Sequence, residues 1–193
     1  MKKRQRFRPT HFILSLAILN LAAPVAGRAA EDVTRTIHVP PGWEGAYEFG
    51  YAPVVRVGNL VIVSGVPAGS QGTYEQKIRR MYEQAVKLLA EAGAKVEDVV
   101  ELTTFHREAK DTPAFSAEFD RYMPIHREFF RDHRPAWTAV GTTTLLSPTA
   151  PVEMRIMAVV GSGAASRVVR GSTLAPTPPA KPAAEAPPSP PGR

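Results

Sequence analysis

Two oppositely charged residues, Glu153 and Arg155, stand two positions apart in a run that alternates between apolar and polar side chains. Residues with that spacing in a β-strand project from the same face of the sheet, so the carboxylate and the guanidinium would lie side by side. A carboxylate placed in this way can orient a water molecule, and a guanidinium can bind an anion. Two interpretations stay open: the two residues form a plain ion pair, or Arg155 is a functional cation of a binding site.

Few other groups in the sequence could carry out chemistry. There is no cysteine, which excludes a disulfide framework and thiolate chemistry. Neither a serine nucleophile elbow nor a phosphate-binding loop nor a dinucleotide-binding fingerprint is present, and we expect no cofactor. The histidines lack the tight spacing of metal ligands, so we expect no metal site: they are His11, His38, His106, His126 and His133.

Five segments that are rich in β-branched or alternating apolar residues predict β-strands. They span residues 54–57, 60–64, 99–106, 137–146 and 152–160. The pair Gly58-Asn59 suits a two-residue turn between the first two, with a positive φ at glycine. In the last segment every second residue from Val152 onward is apolar, which predicts one face for the core and an opposite face that carries the charged pair.

Two helices are predicted between these strands. Thr73 followed by Gln76 is a capping-box signature, and Gly93 is typical of the residue after a helix. The apolar residues of this first helix recur on one face: Ile78, Met81, Ala85, Leu88 and Leu89. The second helix should begin at Thr112-Pro113, and Pro124 should kink or interrupt it. Its apolar face carries Phe115, Phe119 and Tyr122.

The element order β-β-α-β-α-β-β predicts an α/β (α+β) fold with a mixed sheet. Because a strand-helix-strand crossover is right-handed, both helices should pack on the same face of that sheet. The uncovered face must then meet solvent or another subunit.

Several stretches of the sequence resemble the reactive-intermediate deaminase family (Rid, YjgF-like, also called endoribonuclease L-PSP). The resemblance lies in residues 51–65, which read YAPVVRVGNLVIVSG, in Glu91-Ala92-Gly93 with residues 96–100, in Phe129-Phe130 with Arg134-Pro135-Ala136, and in Val152-Glu153-Met154. It implies a YjgF/chorismate-mutase-like fold. It also implies a homotrimer whose sheets form an inner barrel, with small-ligand pockets in the clefts between subunits.

The same resemblance implies a site. In enzymes of this family a pocket arginine after Pro-Ala binds the substrate carboxylate while water hydrolyses an imine such as 2-iminopropanoate. Trp137 stands at that position here, Met123 lies near the position of the family's asparagine, and Tyr51 and Glu153 match its tyrosine and glutamate. Because an indole N–H cannot replace a bidentate guanidinium, hydrolysis of imines that carry a carboxylate should be largely lost.

The expected ligand-binding residues are therefore Tyr51, Trp137, Glu153 and Arg155, with Glu153 as the catalytic candidate. An indole and a phenol beside one carboxylate favour a cationic or heteroaromatic ligand. The alternative is that Trp137 fills a subunit interface as an apolar plug.

Both ends of the chain predict segments outside the folded domain, residues 34–161. Residues 1–30 combine basic residues, an apolar run at 12–23 that is too short to span a membrane, and small residues near a cleavage site. This predicts a cleavable export signal and a periplasmic or secreted protein without a stable membrane anchor. A short membrane-surface anchor is the alternative. Residues 171–193 contain eight prolines and predict a disordered tail.

Removal of the signal changes the charge balance. Six of the 24 lysines and arginines lie in residues 1–30, which leaves 18 against 18 aspartates and glutamates. Since no basic excess remains to neutralise phosphates, we expect no nucleic-acid partner.

Three hypotheses of function follow. The first is an exported protein that binds a small molecule without turnover. The second is a hydrolase of imines or enamines that lack a carboxylate, in which Glu153 orients water and Tyr51 donates a hydrogen bond. The third is a ribonuclease, which the neutral charge of the processed chain disfavours.

Overall fold

A six-stranded sheet with two long helices on one face forms the core of the computed structural model, which describes residues 34–171. Short 3-10 turns span Val96–Asp98 and Ser162–Ala165. The predicted export signal lies outside the described residues, as does the predicted tail after Gly171. The elements are β1 (Arg35–His38), α1 (Glu44–Phe49), β2 (Val54–Val57), β3 (Leu60–Pro67), α2 (Tyr74–Glu91), β4 (Val99–His106), α3 (Thr112–Phe129), β5 (Ala136–Gly141) and β6 (Val152–Val159).

Local signals determine the β2–β3 hairpin and the start of α2, as predicted. Gly58 adopts a φ of +56° in the turn, and Val57 pairs with Leu60 across it. The N–H of Gln76 donates to Thr73 Oγ1 at 3.3 Å, and the N–H of Thr73 donates to Gln76 Oε1 at 3.0 Å. This reciprocal capping box satisfies two backbone donors that a helix N-terminus would otherwise leave without partners.

The helix α3 begins at Thr112 as predicted. Of the two predicted effects of Pro124, a kink or an interruption, the interruption is wrong. Asp111 caps the helix by accepting a first-turn N–H at 2.8 Å, and the helix then continues past Pro124 to Phe129. Proline removes one backbone donor from the helix interior. The buried side chains of Tyr122 and Ile125 hold both sides of Pro124 against the core, and this packing outweighs the lost hydrogen bond.

The strand β5 ends at Gly141, whereas the sequence pattern predicted a strand that continues to residue 146. β5 pairs in parallel with β4, and the last pair in that ladder joins His106 to Gly141. The N–H of Thr142 donates to the carbonyl of His106 at 2.9 Å and closes the ladder. The next residues lack a strand partner because β4 has ended, although their composition suits a strand. β6 ends at Val159, one residue earlier than predicted.

The sheet has the order β1-β2-β3-β6-β4-β5, in which β4 and β5 are parallel and the other neighbours antiparallel. The predicted mixed sheet and α+β class are therefore confirmed. Two short elements, β1 and α1, were not predicted because four and six residues are too few for periodicity to identify them.

The two faces of the sheet differ in what they contact. The face under α2 and α3 carries the apolar core, and the buried side chains of β6 alternate as predicted: Val152, Met154, Ile156 and Ala158. The face that neither long helix covers, called here the open face, carries Ile62, Phe105, Glu153, Arg155 and Met157. No helix of residues 34–171 is long and apolar enough to cross a membrane.

Candidate functional site

The carboxylate of Glu153 lies near the start of β6 on the open face. Its register places it opposite Pro67 of β3 and Phe105 of β4. The side chain is partly buried, and burial raises the pKa of its carboxyl group above the ordinary value. Within residues 34–171 the carboxylate has no hydrogen bond and no ion pair, so a basic, water-accessible oxygen is available for a ligand.

Glu153 lines a cavity of about 470 Å³ on the open face. The cavity holds one carboxylate, one phenol and two hydroxyl groups, and no cation lines it. Its lining residues are Tyr51, Ser64, Gly65, Pro67, Leu146, Ser147 and Glu153. A polar interior with a single negative group fits a ligand that is neutral or positively charged.

A bulge in β3 gives the Glu153 carboxylate its space. The β3–β6 register shifts between Val63 and Val66, and Gly65 lies in that irregular stretch. A Cβ atom on Gly65 would stand 2.1 Å from Glu153 Oε1, which is far inside van der Waals contact. Glycine at this position therefore allows the carboxylate to sit against the backbone of β3.

Tyr51 reaches the same cavity from the segment between α1 and β2. Its N–H donates to the carbonyl of Ala46 at 3.2 Å, which ties it to α1. Ser64 of β3 holds the following residues, since its Oγ donates to the carbonyl of Ala52 at 2.6 Å and its N–H to that of Pro53 at 2.9 Å. The structure thus brings Tyr51 and Glu153 into one cavity, and their roles toward a ligand stay a prediction.

Arg155 does not pair with Glu153, so the predicted ion pair between these two residues is wrong. The guanidinium contacts Glu101 of β4 instead, with an Nη1–Oε2 distance of 3.1 Å. The register explains this choice, because Arg155 lies opposite Thr103 and thus diagonal to Glu101 on the neighbouring strand. Arg155 also does not line the Glu153 cavity, so within one protomer it is not the replacement for a missing pocket cation.

Trp137 lies on the other face of the sheet from Glu153 within the protomer. It pairs in register with Leu102, whose side chain is buried under the helices. Its Nε1–H donates to Thr104 Oγ1 at 3.1 Å, and its ring stacks on His126 of α3 with centroids 4.3 Å apart. A single-chain pocket that combines this indole with Tyr51 and Glu153 is therefore not formed.

A buried polar cluster that was not predicted from the sequence lies beside Trp137. Glu118 Oε1 accepts from the Tyr74 hydroxyl at 2.8 Å and lies 3.0 Å from His106 Nδ1, while His106 Nε2 lies 2.9 Å from Thr104 Oγ1. Burial, followed by the charge of Glu118, raises the pKa of Tyr74 and keeps that phenol protonated. The alternation of β4 could have indicated the cluster, because it places the polar residues Thr104 and His106 on the buried face of the strand. The cluster fixes the Trp137 indole through Thr104.

Metal binding finds no support in the described residues. No group of three or more histidine, aspartate or glutamate side chains in residues 34–171 is arranged to hold a metal ion. His106 and His126 are instead parts of the aromatic and polar core under α3.

Comparisons with known proteins agree with this architecture. The sequence is 32% identical to the RutC family protein YjgH of Escherichia coli over 120 residues, which cover 58% of this chain and 87% of that protein. It is 34% identical to a 2-iminobutanoate/2-iminopropanoate deaminase of Dermatophagoides farinae over 117 residues, covering 57% of this chain and 85% of that one.

Solved structures give the same result. A member of the YjgF/YER057c/UK114 family from Mycobacterium tuberculosis superposes with a TM-score of 0.57 at 28% identity, over 66% of this chain and all of that chain. The structure of YjgH superposes with a TM-score of 0.56 at 27% identity, over 65% of this chain and 96% of that chain. The family described as endoribonuclease L-PSP matches residues 46–160, more than half of the 193 residues. The chain therefore belongs to the endoribonuclease L-PSP family, the Rid/YjgF family that its sequence resembles.

Proposed function

We propose that this protein hydrolyses small imines or enamines that carry no carboxylate, and that Glu153 is its catalytic residue. The observation that carries the proposal is the Glu153 carboxylate, which shares a cavity with Tyr51 and has no counter-ion within residues 34–171. Similarity to a protein named as a 2-iminobutanoate/2-iminopropanoate deaminase supports the reaction class.

The negative charge of the cavity favours substrates that carry no carboxylate. No lysine, arginine or histidine is among its lining residues, and the guanidinium of Arg155 is paired with Glu101. A carboxylate on the ligand would therefore face Glu153 without a balancing cation, which disfavours binding. A protonated imine would instead be attracted to Glu153.

The reaction needs one group that first accepts and then returns a proton. Glu153 takes a proton from water while the water oxygen forms a bond to the imine carbon, which gives a carbinolamine. The imine enters in its protonated form, so the same carboxyl group then returns that proton to the amino nitrogen of the carbinolamine. The C–N bond breaks, the hydroxyl proton passes to the Glu153 carboxylate and on to solvent, and ammonia leaves with formation of the carbonyl product. Burial raises the pKa of Glu153 toward neutral pH, and a group with such a pKa both accepts and returns a proton more readily. The Tyr51 hydroxyl stabilises the developing charge by a hydrogen bond.

Two other functions have weaker support. Binding without turnover relies on an indole in the pocket, and within one protomer Trp137 lies on the opposite face of the sheet, so this function needs Trp137 from a neighbouring subunit. RNA cleavage, which the family's description suggests, has weak support because the cavity offers no cation for a phosphate.

Assembly and location belong to the same proposal. Family resemblance supports a homotrimer, in which Trp137 of one subunit could approach the cavity of the next. The basic and apolar start of the sequence supports export to the periplasm or medium. The intact mass of the protein recovered from the producing cells tests export, and a full-length mass would overturn it.

The experiment measures ammonia release from an imine formed in situ by amine oxidase action on a primary amine. The wild type should accelerate release over spontaneous hydrolysis, and Glu153→Gln should reduce this acceleration by about 100-fold or more. Glu83→Gln, at an exposed position of α2, is the matched control and should keep full activity. Lack of acceleration by the wild type, or full activity of Glu153→Gln, would refute hydrolysis by Glu153. Degradation of RNA that depends on Glu153 would favour the ribonuclease.

A further inference from the structure

A second, apolar cavity of about 340 Å³ adjoins the Glu153 cavity. Tyr51 and Leu146 line both, so the two cavities are neighbours. The other lining residues of the second cavity are Gly45, Ala46 and Phe49 of α1. Because none of them is charged, this space fits an uncharged, apolar part of a ligand.

The large side chains around the second cavity are unusually exposed for apolar residues. Phe49 is 75% exposed and Leu146 is 78% exposed, whereas Tyr51 is 38% exposed. Phe49 and Tyr51 stand edge to face, with ring centroids 6.4 Å apart and an interplanar angle of 81°. Contiguous exposed apolar surface beside a cavity marks a binding surface, since it is costly to leave in contact with water.

The backbone holds these side chains in a fixed relation to the first cavity. Gly50, with a φ of +122°, ends α1, and its N–H donates to the carbonyls of Ala46 and Tyr47. The next N–H, that of Tyr51, donates to the same Ala46 carbonyl at 3.2 Å. Phe49 and Tyr51 therefore belong to one turn at the end of α1. A ligand group that passes Tyr51 would reach Phe49.

We infer that α1 and Leu146 form a specificity subsite, and that the preferred ligand carries an aromatic or bulky apolar group next to a cationic C=N group. This inference rests on the proposed function. The C=N group lies beside Glu153, and its substituent extends past Tyr51 into the space lined by Phe49 and Leu146. α1 also carries Glu44 and Glu48 and no basic residue, so the local charge agrees with a cationic ligand.

Two amidinium ions test the inference by titration calorimetry on the full chain. An amidinium has the planar, positively charged C=N group of a protonated imine but is not hydrolysed on the timescale of the titration. Benzamidine adds a phenyl ring to that group, whereas acetamidine adds only a methyl group. Benzamidine should bind about tenfold tighter than acetamidine, because only its ring can fill the subsite.

Variants of α1 separate the subsite from the rest of the helix. Phe49→Ala should weaken benzamidine binding by about tenfold and leave acetamidine binding unchanged. Tyr47→Ala is the matched control, because Tyr47 is an aromatic residue of the same helix that is 51% exposed and lines neither cavity. It should leave the affinity for both ions unchanged.

The outcomes distinguish the inference from the proposed function. Equal affinities for the two ions, or an equal loss for both in Phe49→Ala, would overturn the subsite while Glu153-dependent binding still stands. A change of oligomeric mass in Phe49→Ala with unaltered benzamidine affinity would also overturn it, since Phe49 would then be an interface residue. If Glu153→Gln leaves both affinities unchanged, the proposed function itself fails.

Discussion

The Glu153 carboxylate owes its position to Gly65, a residue of the neighbouring strand β3 that has no side chain. A Cβ atom on Gly65 would lie 2.1 Å from Glu153 Oε1 and 2.8 Å from its Cδ. Both atoms belong to the end of a flexible side chain, so an alanine there would be accommodated by rotation of Glu153 rather than by movement of the sheet. The placement of the carboxylate and the stability of the fold can therefore be changed separately.

We predict that Gly65→Ala reduces ammonia release by about tenfold or more while the free energy of unfolding changes by less than about 1 kcal/mol. The reason is that Glu153 must leave the place where it can hold the attacking water. Assays of ammonia release and urea denaturation measure the two quantities. Gly69→Ala is the matched control, because nothing lies within 4 Å of its added Cβ and its φ is not positive. Equal activities of the two variants would contradict the assigned position of Glu153.

Trp137, which stands where the family has an arginine, depends on the residues that it contacts. Its indole N–H donates to Thr104 Oγ1, and its ring stacks on the imidazole of His126. An arginine at position 137 of this protomer would bring a charge against the buried His106–Glu118 cluster. The aromatic residue and the polar cluster therefore form one structural unit beneath α3.

At the scale of elements, the attachment of α3 to the core depends on an imidazole that stays neutral. Burial, with Arg134 and Arg127 nearby, lowers the pKa of His126 to about 4. The Nδ1 of His126 lies 2.9 Å from the Tyr82 hydroxyl oxygen, which can donate to it when Nδ1 carries no proton. The same Tyr82 oxygen lies 2.6 Å from the hydroxyl oxygen of Tyr122. A proton on Nδ1 would remove that acceptor in the middle of the core.

We predict that the stability of the protein falls between about pH 6.5 and pH 4 because of His126. The pKa in the folded state lies below that of an unfolded histidine, so the unfolded chain binds the proton first. The contribution is complete above about pH 6.5 and is lost as the pH falls toward about 4, and it amounts to up to about 3 kcal/mol. Urea denaturation at a series of pH values measures it.

The variant His126→Asn isolates this contribution. Asparagine keeps an acceptor for Tyr82 but does not titrate, so stability should depend less on pH in this variant than in the wild type. All carboxylates are common to both proteins, and the difference between the two pH profiles therefore reports on the histidine alone. Parallel profiles would contradict the prediction, whatever the absolute stability of the variant.

Elements with local signals could be predicted from the sequence, whereas features that depend on strand register could not. Turn chemistry at Gly58 and the capping box at Thr73 act within a few residues, and both are confirmed. The end of β5 depends on where β4 ends, and the partner of Arg155 depends on which residue of β4 lies diagonal to it. Neither relation is local in sequence.

The candidate site follows the same rule. Family resemblance selected Tyr51 and Glu153, which line one cavity, and Trp137, which lies on the other face of the sheet within one protomer. Its direction depends on its pairing with Leu102, since a shift of one residue would reverse its face. The subsite at α1 had no periodic signal because the helix has six residues.

At the scale of the whole molecule, the open face of the sheet is where a trimer would be built. Neither long helix covers it, and it carries the register pair Ile62 and Met157, with Phe105 farther along the face opposite Glu153. A sheet face with this apolar content is stabilised when another subunit covers it. The covered face, in contrast, already has α2 and α3 as partners.

We predict that the wild type has three times the mass of one chain in size-exclusion chromatography with light scattering, and that Ile62→Glu shifts it to the mass of one chain. Ile62 lies between Val55 and Met157, so a glutamate there would place three buried charges inside the assembly. Lys87→Glu, at an exposed position of α2 on the covered side, is the control and should keep the trimeric mass.

Circular dichroism must show that Ile62→Glu is folded, since α2, α3 and the core beneath them do not need the open face. A single-chain mass for the wild type would refute the trimer. The one pair of adjoining cavities in a single chain would then have to work without a contribution from Trp137 of a neighbour, and ammonia release by the monomer would test this.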